Sequence, residues 1–233
     1  MRWQAGQTMQ AIIFDMDGLM VDTEPLYWEV ARELAARFGK SVSDATLRKM
    51  MGRSRHESMQ IFAQDCGIDR PIDELLAERE RLMLQRYARG VEPMPGLREI
   101  LDRFHGRLKL AVATSSPMKF TDVLLPALGL ARYFHVIQTG DQILRGKPDP
   151  EIYLKTMSRL QARPDECIVL EDSRAGALAA HRAGAYVIAI PSALTAQEDF
   201  SFADARVRNL HEAAEQIERV LASPQPRTTT SRA

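Results

Sequence analysis

AIIFDMDG, residues 11 to 18, is the stretch that decides the fold. Four apolar residues, Ala11 to Phe14, run straight into Asp15, and Gly18 follows as a turn residue. A short apolar run without alternation is the pattern of a strand covered on both faces, and the spacing predicts a central one. The chain repeats the pattern downstream. LKLAVA (108 to 113) ends at Thr114, Phe134 to Ile137 is a weaker version, CIVL (167 to 170) ends at Glu171, and AYVIAI spans 185 to 190. Helical patterns separate these runs. One follows Pro95-Gly96, one starts near Pro117, one near Asp149-Pro150, and one runs from Ser173 to Ala183, where Gly184 stops it. Short buried strands alternating with amphipathic helices predict an α/β fold with a mostly parallel sheet.

The stretch from Asp22 to Gly90 reads differently. Helical patterns cover Glu24 to Phe38, Asp44 to Met51, Arg55 to Cys66 and Ile72 to Ala88, with turn signals at Phe38-Gly39, Gly52 and Gly67 and no convincing strand. This predicts an all-helical domain inserted after the first strand. The expected organisation is a core of residues 1–21 and 91–222, a helical cap of 22–90, and a flexible C-terminal tail of 223–233. The tail, SPQPRTTTSRA, is too polar to offset its ordering entropy.

Bulk composition narrows the function. The chain has 233 residues, 45% hydrophobic and 27% charged, enough to bury a substantial core. Acidic and basic residues balance at 31 each, which argues against general binding of nucleic acid. No apolar run reaches the length of a membrane span, and the first ten residues carry no secretory core, so a cytoplasmic protein is expected. The two cysteines, Cys66 and Cys167, form no CxxC pair, and the five histidines show no metal-binding spacing, so a zinc site is not expected.

Ligands of open α/β sheets gather at the carboxyl ends of the strands, and here those ends carry matching chemistry. Asp15 is a carboxylate at a strand end, suited to act as nucleophile or metal ligand. Asp17 points to the same side if the chain stays extended, and it is placed to handle the proton of a leaving group. Glu171-Asp172 brings a second carboxylate pair. With Asp15 it makes a hard oxygen site suited to Mg²⁺, with Asp172 as direct ligand and Glu171 supporting it by orienting bound water. Thr114 precedes a helix start whose hydroxyl and free backbone N–H groups suit phosphate; Ser115 and Ser116 are caps or substrate contacts. Lys147, between Gly146 and Pro148, is placed to pair with a phosphoryl oxygen and with Asp15 or Glu171.

Together these residues form a recognisable set. IIFDMDGLMVDTEP (12 to 25), AVATSS (111 to 116), GKPDPEIY (146 to 153) and VLEDSRAGALAAHRAGA (169 to 185) resemble, in order, the four motifs of haloacid-dehalogenase-like hydrolases. The likeness covers about residues 10 to 220 and is closest to the subgroup of β-phosphoglucomutase and related sugar-phosphate phosphatases. The resemblance implies a Rossmann-like core with an inserted helical cap. It implies that Asp15 is phosphorylated and binds Mg²⁺, and that Asp17 is the general acid/base, its carbonyl a further metal ligand. It also implies that Thr114, Ser115 and Lys147 hold phosphate, and that Asp172 binds the metal beside Glu171. The paired aspartates favour phosphoryl chemistry over dehalogenation.

The cap is where substrate is chosen. Gly52-Arg53-Ser54-Arg55 resembles the mutase's substrate loop, which makes Arg53 and Arg55 expected substrate contacts, with Ser116 beside them and Glu24 of the DTEP segment covering the site. Two departures weigh against a mutase. Tyr27 stands where the mutase has a histidine, and no counterpart of its cap lysine stands out in ERERLMLQR (78 to 86), where Arg79, Arg81 and Arg86 are equal stand-ins. The expected function is therefore a Mg²⁺-dependent phosphatase of a small phosphorylated metabolite, a sugar phosphate, acting as a monomer. The alternatives are a β-phosphoglucomutase-like mutase and, from a different class, a catalytically inactive interaction module.

Overall fold

The computed structural model describes residues 8–50, 53 and 55–222, and of Glu24 the backbone alone. The expected contact at Glu24, the loop residues Gly52 and Ser54 and the tail from residue 223 lie outside what is described. The strands are β1 (Ala11–Phe14), β2 (Lys109–Ala113), β3 (Val136–Gln138), β4 (Cys167–Glu171), β5 (Tyr186–Ala189) and β6 (Ala205–Arg206). The described helices are α1 (Glu24–Arg37), α2 (Asp44–Met50), α3 (Arg55–Cys66), α4 (Ile72–Ala88), α5 (Leu97–Phe104), α6 (Met118–Ala127), α7 (Glu151–Leu160), α8 (Arg174–Ala183) and α9 (Leu210–Ala222).

The strands form one sheet in the order β3-β2-β1-β4-β5-β6, and every pairing is parallel. β1 is central because it is apolar throughout. Ile12 pairs with Leu110 on one side and Ile168 on the other, and all four β1 residues are fully buried. Burying Ile12, Ile13 and Phe14 contributes about 1.5–3 kcal/mol each. This strand order reverses direction beside β1, and in such sheets the crevice at that reversal is where ligands bind.

Two compact units make up the chain, residues 8–21 with 92–222 and residues 22–91. In the α/β unit, α7 buries Ile152, Tyr153, Thr156, Met157 and Leu160 and packs on β2 and β3. The small residues of α8 let it lie against β4 and β5. Two elements go beyond the strands and helices read from the sequence. β6 is only two residues long and too short to carry a pattern. α9 packs on α5, where Arg103 and Arg107 of the α5 end pair with Glu215 and Glu218. The weak third strand also shifts, from 134–137 to Val136–Gln138. Phe134 instead turns its ring edge-on to Phe14, 6.1 Å between centroids.

In the helical unit, α1 packs on α4, and α3 packs on both α2 and α4. Val30, Leu34, Met59, Phe62, Met83 and Tyr87 are fully buried. Ion pairs join α1 to α4: Arg86 reaches Glu29 and Glu33, and Arg37 reaches Glu78. No described helix is long and apolar enough to cross a membrane.

Candidate active site

Asp15 follows the last residue of β1, and its backbone N–H continues the sheet by donating to the Leu170 carbonyl (3.1 Å). The ladder thus carries the carboxylate to the strand's carboxyl edge, where Thr114 follows β2 and Glu171 ends β4. Lys147 arrives on the loop before α7, across a cis Lys147–Pro148 peptide. Its ammonium donates to Asp15 Oδ1 (2.5 Å), Glu171 Oε1 (2.6 Å) and the Ala113 carbonyl (3.2 Å). Those three bonds use all three ammonium protons. Sequence left open whether Lys147 pairs with Asp15 or Glu171; the structure has it bridging both.

Glu171 is fully buried, yet every lone-pair direction has a partner. Oε1 accepts from Lys147 and from the Tyr153 hydroxyl (2.6 Å), and Oε2 accepts from the Ser173 N–H (3.2 Å) and hydroxyl (2.9 Å). These four bonds make Glu171 a clamp on Lys147, a role the sequence did not specify beside the water-orienting one it suggested. Gly176 makes room for this clamp, since a Cβ there would lie 1.7 Å from Glu171 Oε1.

Asp172 is 8% exposed, and no hydrogen bond holds its carboxylate among the described residues. Burial pushes its pKa well above the carboxylate range, and Asp15 and Glu171 add to the rise. Burial raises Asp15 as well, with Lys147 pulling against it and Glu171 and Asp17 adding to it. At Lys147 burial works against the charge, but Asp15 and Glu171 outweigh it and hold the ammonium well above its ordinary pKa. Asp15, Glu171 and Asp172 offer oxygens all within 4.8 Å of one another, and among the described residues Lys147 is the one cation paired with them. A buried oxygen cluster short of positive charge is the chemistry a hard divalent cation satisfies, and with Glu171 saturated, Asp15 and Asp172 are the carboxylates that fit it. Gly18 closes the arrangement: its φ is +85°, and a Cβ there would lie 2.2 Å from Asp172 Oδ2.

Asp17 sits beside this cluster with an unequal pair of oxygens. Oδ2 accepts from Thr114 Oγ1 (3.0 Å) and Ser116 Oγ (2.7 Å), while Oδ1 is buried without a partner among the described residues. Thr114 is fully buried and commits its hydroxyl proton to Asp17, and its oxygen accepts from the Ser116 N–H (3.0 Å). Ser116, expected among substrate contacts, instead holds Asp17, and Ser115 is exposed. The start of α6 is less open than expected. The Met118 N–H donates to the Asp141 carboxylate (3.1 Å), so a residue of the chain already serves that helix end.

The helical unit sorts its arginines. Arg55 forms an ion pair with Glu80, and Arg53 is exposed. Arg81 pairs with Glu78 and Arg86 with Glu29 and Glu33, whereas Arg79 makes no ion pair among the described residues. Burial lowers the pKa of Arg79, with Tyr27 and Arg55 nearby.

Tyr153, Ser173 and Asp141 were missed by sequence reasoning. Tyr153 falls on the apolar periodicity of α7 and so reads as core; its position in GKPDPEIY, six residues after Lys147, was the available signal. Ser173 read as the polar end of the Glu171-Asp172-Ser173 segment and the start of α8, with no partner assigned, and it does cap that helix by accepting from the Gly176 N–H (3.1 Å).

Residues 12–190 match the family model described as haloacid dehalogenase-like hydrolase. A phosphorylated carbohydrates phosphatase of Thermotoga maritima is 38% identical over 76% of this chain and 82% of its own length. Protein CbbY of Rhodobacter capsulatus is 33% identical over 89% of this chain and 96% of its own. The crystal structure of CbbY from Rhodobacter sphaeroides in complex with xylulose-(1,5)bisphosphate superposes with a TM-score of 0.79 at 27% identity, covering 88% of this chain and 96% of that one. With the strand order, the motifs and these likenesses in agreement, the chain belongs to the haloacid dehalogenase-like hydrolases and is an enzyme of that family.

Proposed function

We propose that the chain is a Mg²⁺-dependent phosphomonoester hydrolase of a small sugar phosphate, working through an aspartyl-phosphate on Asp15. The observation that carries this reading is the buried carboxylate cluster held by one lysine: Asp15 is bonded to Lys147 through Oδ1, with the uncompensated Asp172 alongside. The names of the relatives, a phosphorylated carbohydrates phosphatase among them, support the sugar-phosphate class.

Asp15 attacks the phosphorus of the bound monoester in line, and the bond from phosphorus to the sugar oxygen breaks. Asp17 gives the departing oxygen its proton and then takes one from the water that attacks the aspartyl-phosphate, which regenerates Asp15. Lys147 stabilises the charge on the transferring oxygens, joined by Thr114 when its hydroxyl proton turns from Asp17 to the phosphoryl group and leaves Ser116 on Asp17 Oδ2. Asp15 and Asp172, with the Asp17 carbonyl, would hold Mg²⁺, which when bound offsets repulsion between carboxylate and phosphate. The helical unit 22–91 serves as a cap that excludes bulk water and selects the sugar, with Arg53, Arg55 and Glu24 as its contacts.

The test is phosphate release from a panel of sugar phosphates, phosphoglycolate, nucleotides and flavin mononucleotide, with Mg²⁺ and with chelator, beside Asp15→Asn. Release that needs Mg²⁺, favours sugar phosphates and disappears in Asp15→Asn is the expected result. Near-normal turnover by folded Asp15→Asn would overturn the assignment.

A further inference from the structure

Lys147 has three protons and three acceptors, so it can reach a phosphoryl oxygen only by giving one acceptor up. Leaving the Ala113 carbonyl would free a proton but keep the ammonium pinned between two carboxylates that neutralise its charge, and leaving Asp15 would abandon the nucleophile before attack. Leaving Glu171 would strand a fully buried carboxylate oxygen, which is costly unless another donor remains. Another donor is present. The Tyr153 hydroxyl, on a fully buried side chain, donates to the same Oε1 at 2.6 Å. The Tyr153 ring also lies beneath the Lys147 ammonium, 5.1 Å from Nζ to the centroid, an attractive surface for a cation that has to move a short way.

We propose that Tyr153 is a positioning residue for phosphoryl transfer: its hydroxyl keeps Glu171 Oε1 satisfied, so that the Lys147 ammonium can leave Glu171 for the transferring phosphoryl group. The inference rests on the phosphatase reading above and adds a residue to it. Tyr153 touches neither substrate nor nucleophile and acts through Glu171 on Lys147. Because the exchange strengthens as charge develops on the phosphoryl oxygens, its loss lowers kcat and kcat/KM together and leaves KM nearly unchanged.

The experiment compares wild type, Tyr153→Phe, Tyr153→Leu, Glu171→Gln and the Tyr153→Phe/Glu171→Gln double variant, with kcat and KM measured on the best sugar phosphate at saturating Mg²⁺. Tyr153→Phe keeps the ring and removes only the hydroxyl; it should stay folded with a melting temperature within about 10 °C of wild type, lose about tenfold in kcat and hold KM within about twofold, the scale of one hydrogen bond to a charged group. Tyr153→Leu removes the ring as well and should fall further. In the Glu171→Gln background the same Tyr→Phe change should cost less than about twofold, because the stranded charge is gone. Wild-type kcat in Tyr153→Phe, or an undiminished loss in the Glu171→Gln background, would refute the role while leaving the phosphatase assignment standing. Absence of Mg²⁺-dependent release by wild type would instead remove that assignment and this inference with it.

Discussion

Gly18→Ala tests the geometry of the carboxylate cluster directly. Two separable costs attach to the added methyl. The first is conformational: Gly18 has φ of +85°, and a side chain there costs about 1–2 kcal/mol. The second is steric: the Cβ would sit 2.2 Å from Asp172 Oδ2, more than about 1 Å inside ordinary contact. Among the described residues no hydrogen bond holds the Asp172 carboxylate against displacement, so that carboxylate or the Asp17-Gly18 turn must move by roughly that 1 Å, and a misplacement of that size at a reacting centre costs about 100-fold in rate. Gly106→Ala is the control. Gly106 has φ of +79° in the same unit, but nothing lies within 4 Å of its Cβ position. Both variants should therefore lose a few degrees of melting temperature, at about 2–4 °C per kcal/mol for a chain of this size. Only Gly18→Ala should raise the Mg²⁺ concentration for half-maximal phosphate release and lower kcat about 100-fold. Mg²⁺ titrations of phosphatase activity beside thermal melts read both quantities. If Gly18→Ala matched Gly106→Ala in Mg²⁺ requirement and kcat, the close approach of the motif turn to Asp172 would carry no weight in the site.

Lys147→Met leaves Asp15 and Glu171 buried without their shared cation, and breaking a buried pair from one side costs about 3–5 kcal/mol. Urea unfolding should show that loss, with partial recovery in Mg²⁺; a midpoint equal to wild type would contradict it. In the helical unit, hydrogen bonds from Arg37 to Glu33 and from Arg81 to Glu78 hold both carboxyls below their ordinary pKa. A lowered folded pKa gives stability that is present above the unfolded value and lost as pH falls through the folded one. These groups are partly exposed, so the effect is at most about 1 kcal/mol. Glu78→Gln should melt below wild type at pH 7, and the gap should narrow as pH falls through the lowered folded pKa; a gap of constant size from pH 7 into strong acid would rule the ion pairs out as its source.

Much of the architecture was legible because it rests on local patterns. The run Ala11 to Phe14 has no polar residue to face water, so it had to be a strand covered on both sides, and Asp15 had to lie at its end. The helices of residues 22–91 were readable from their periodicity and turn residues, two of them, α3 and α4, to the residue. β6 and the register of β3 were not, because short edge strands are defined by the partner they pair with. The same limit applied within the site. Residue types at strand ends singled out Asp15, Asp17, Thr114, Glu171 and Asp172 as candidates, and the Gly-Lys-Pro segment added Lys147, but not which of them touch.

Sequence alone determined the α/β class, the inserted helical segment and the set of groups that gather at the sheet edge, because hydrophobic periodicity and chain order dictate which strand ends lie together. Only the tertiary structure decided that Lys147 bridges Asp15 and Glu171, that Thr114 and Ser116 hold Asp17, that Arg55 is paired with Glu80, and that Tyr153 completes the shell of Glu171. The reason is that each oxygen and each proton can serve few partners at once. Which partner prevails depends on distances between segments up to 132 residues apart in the chain, and those distances exist only once the sheet has formed.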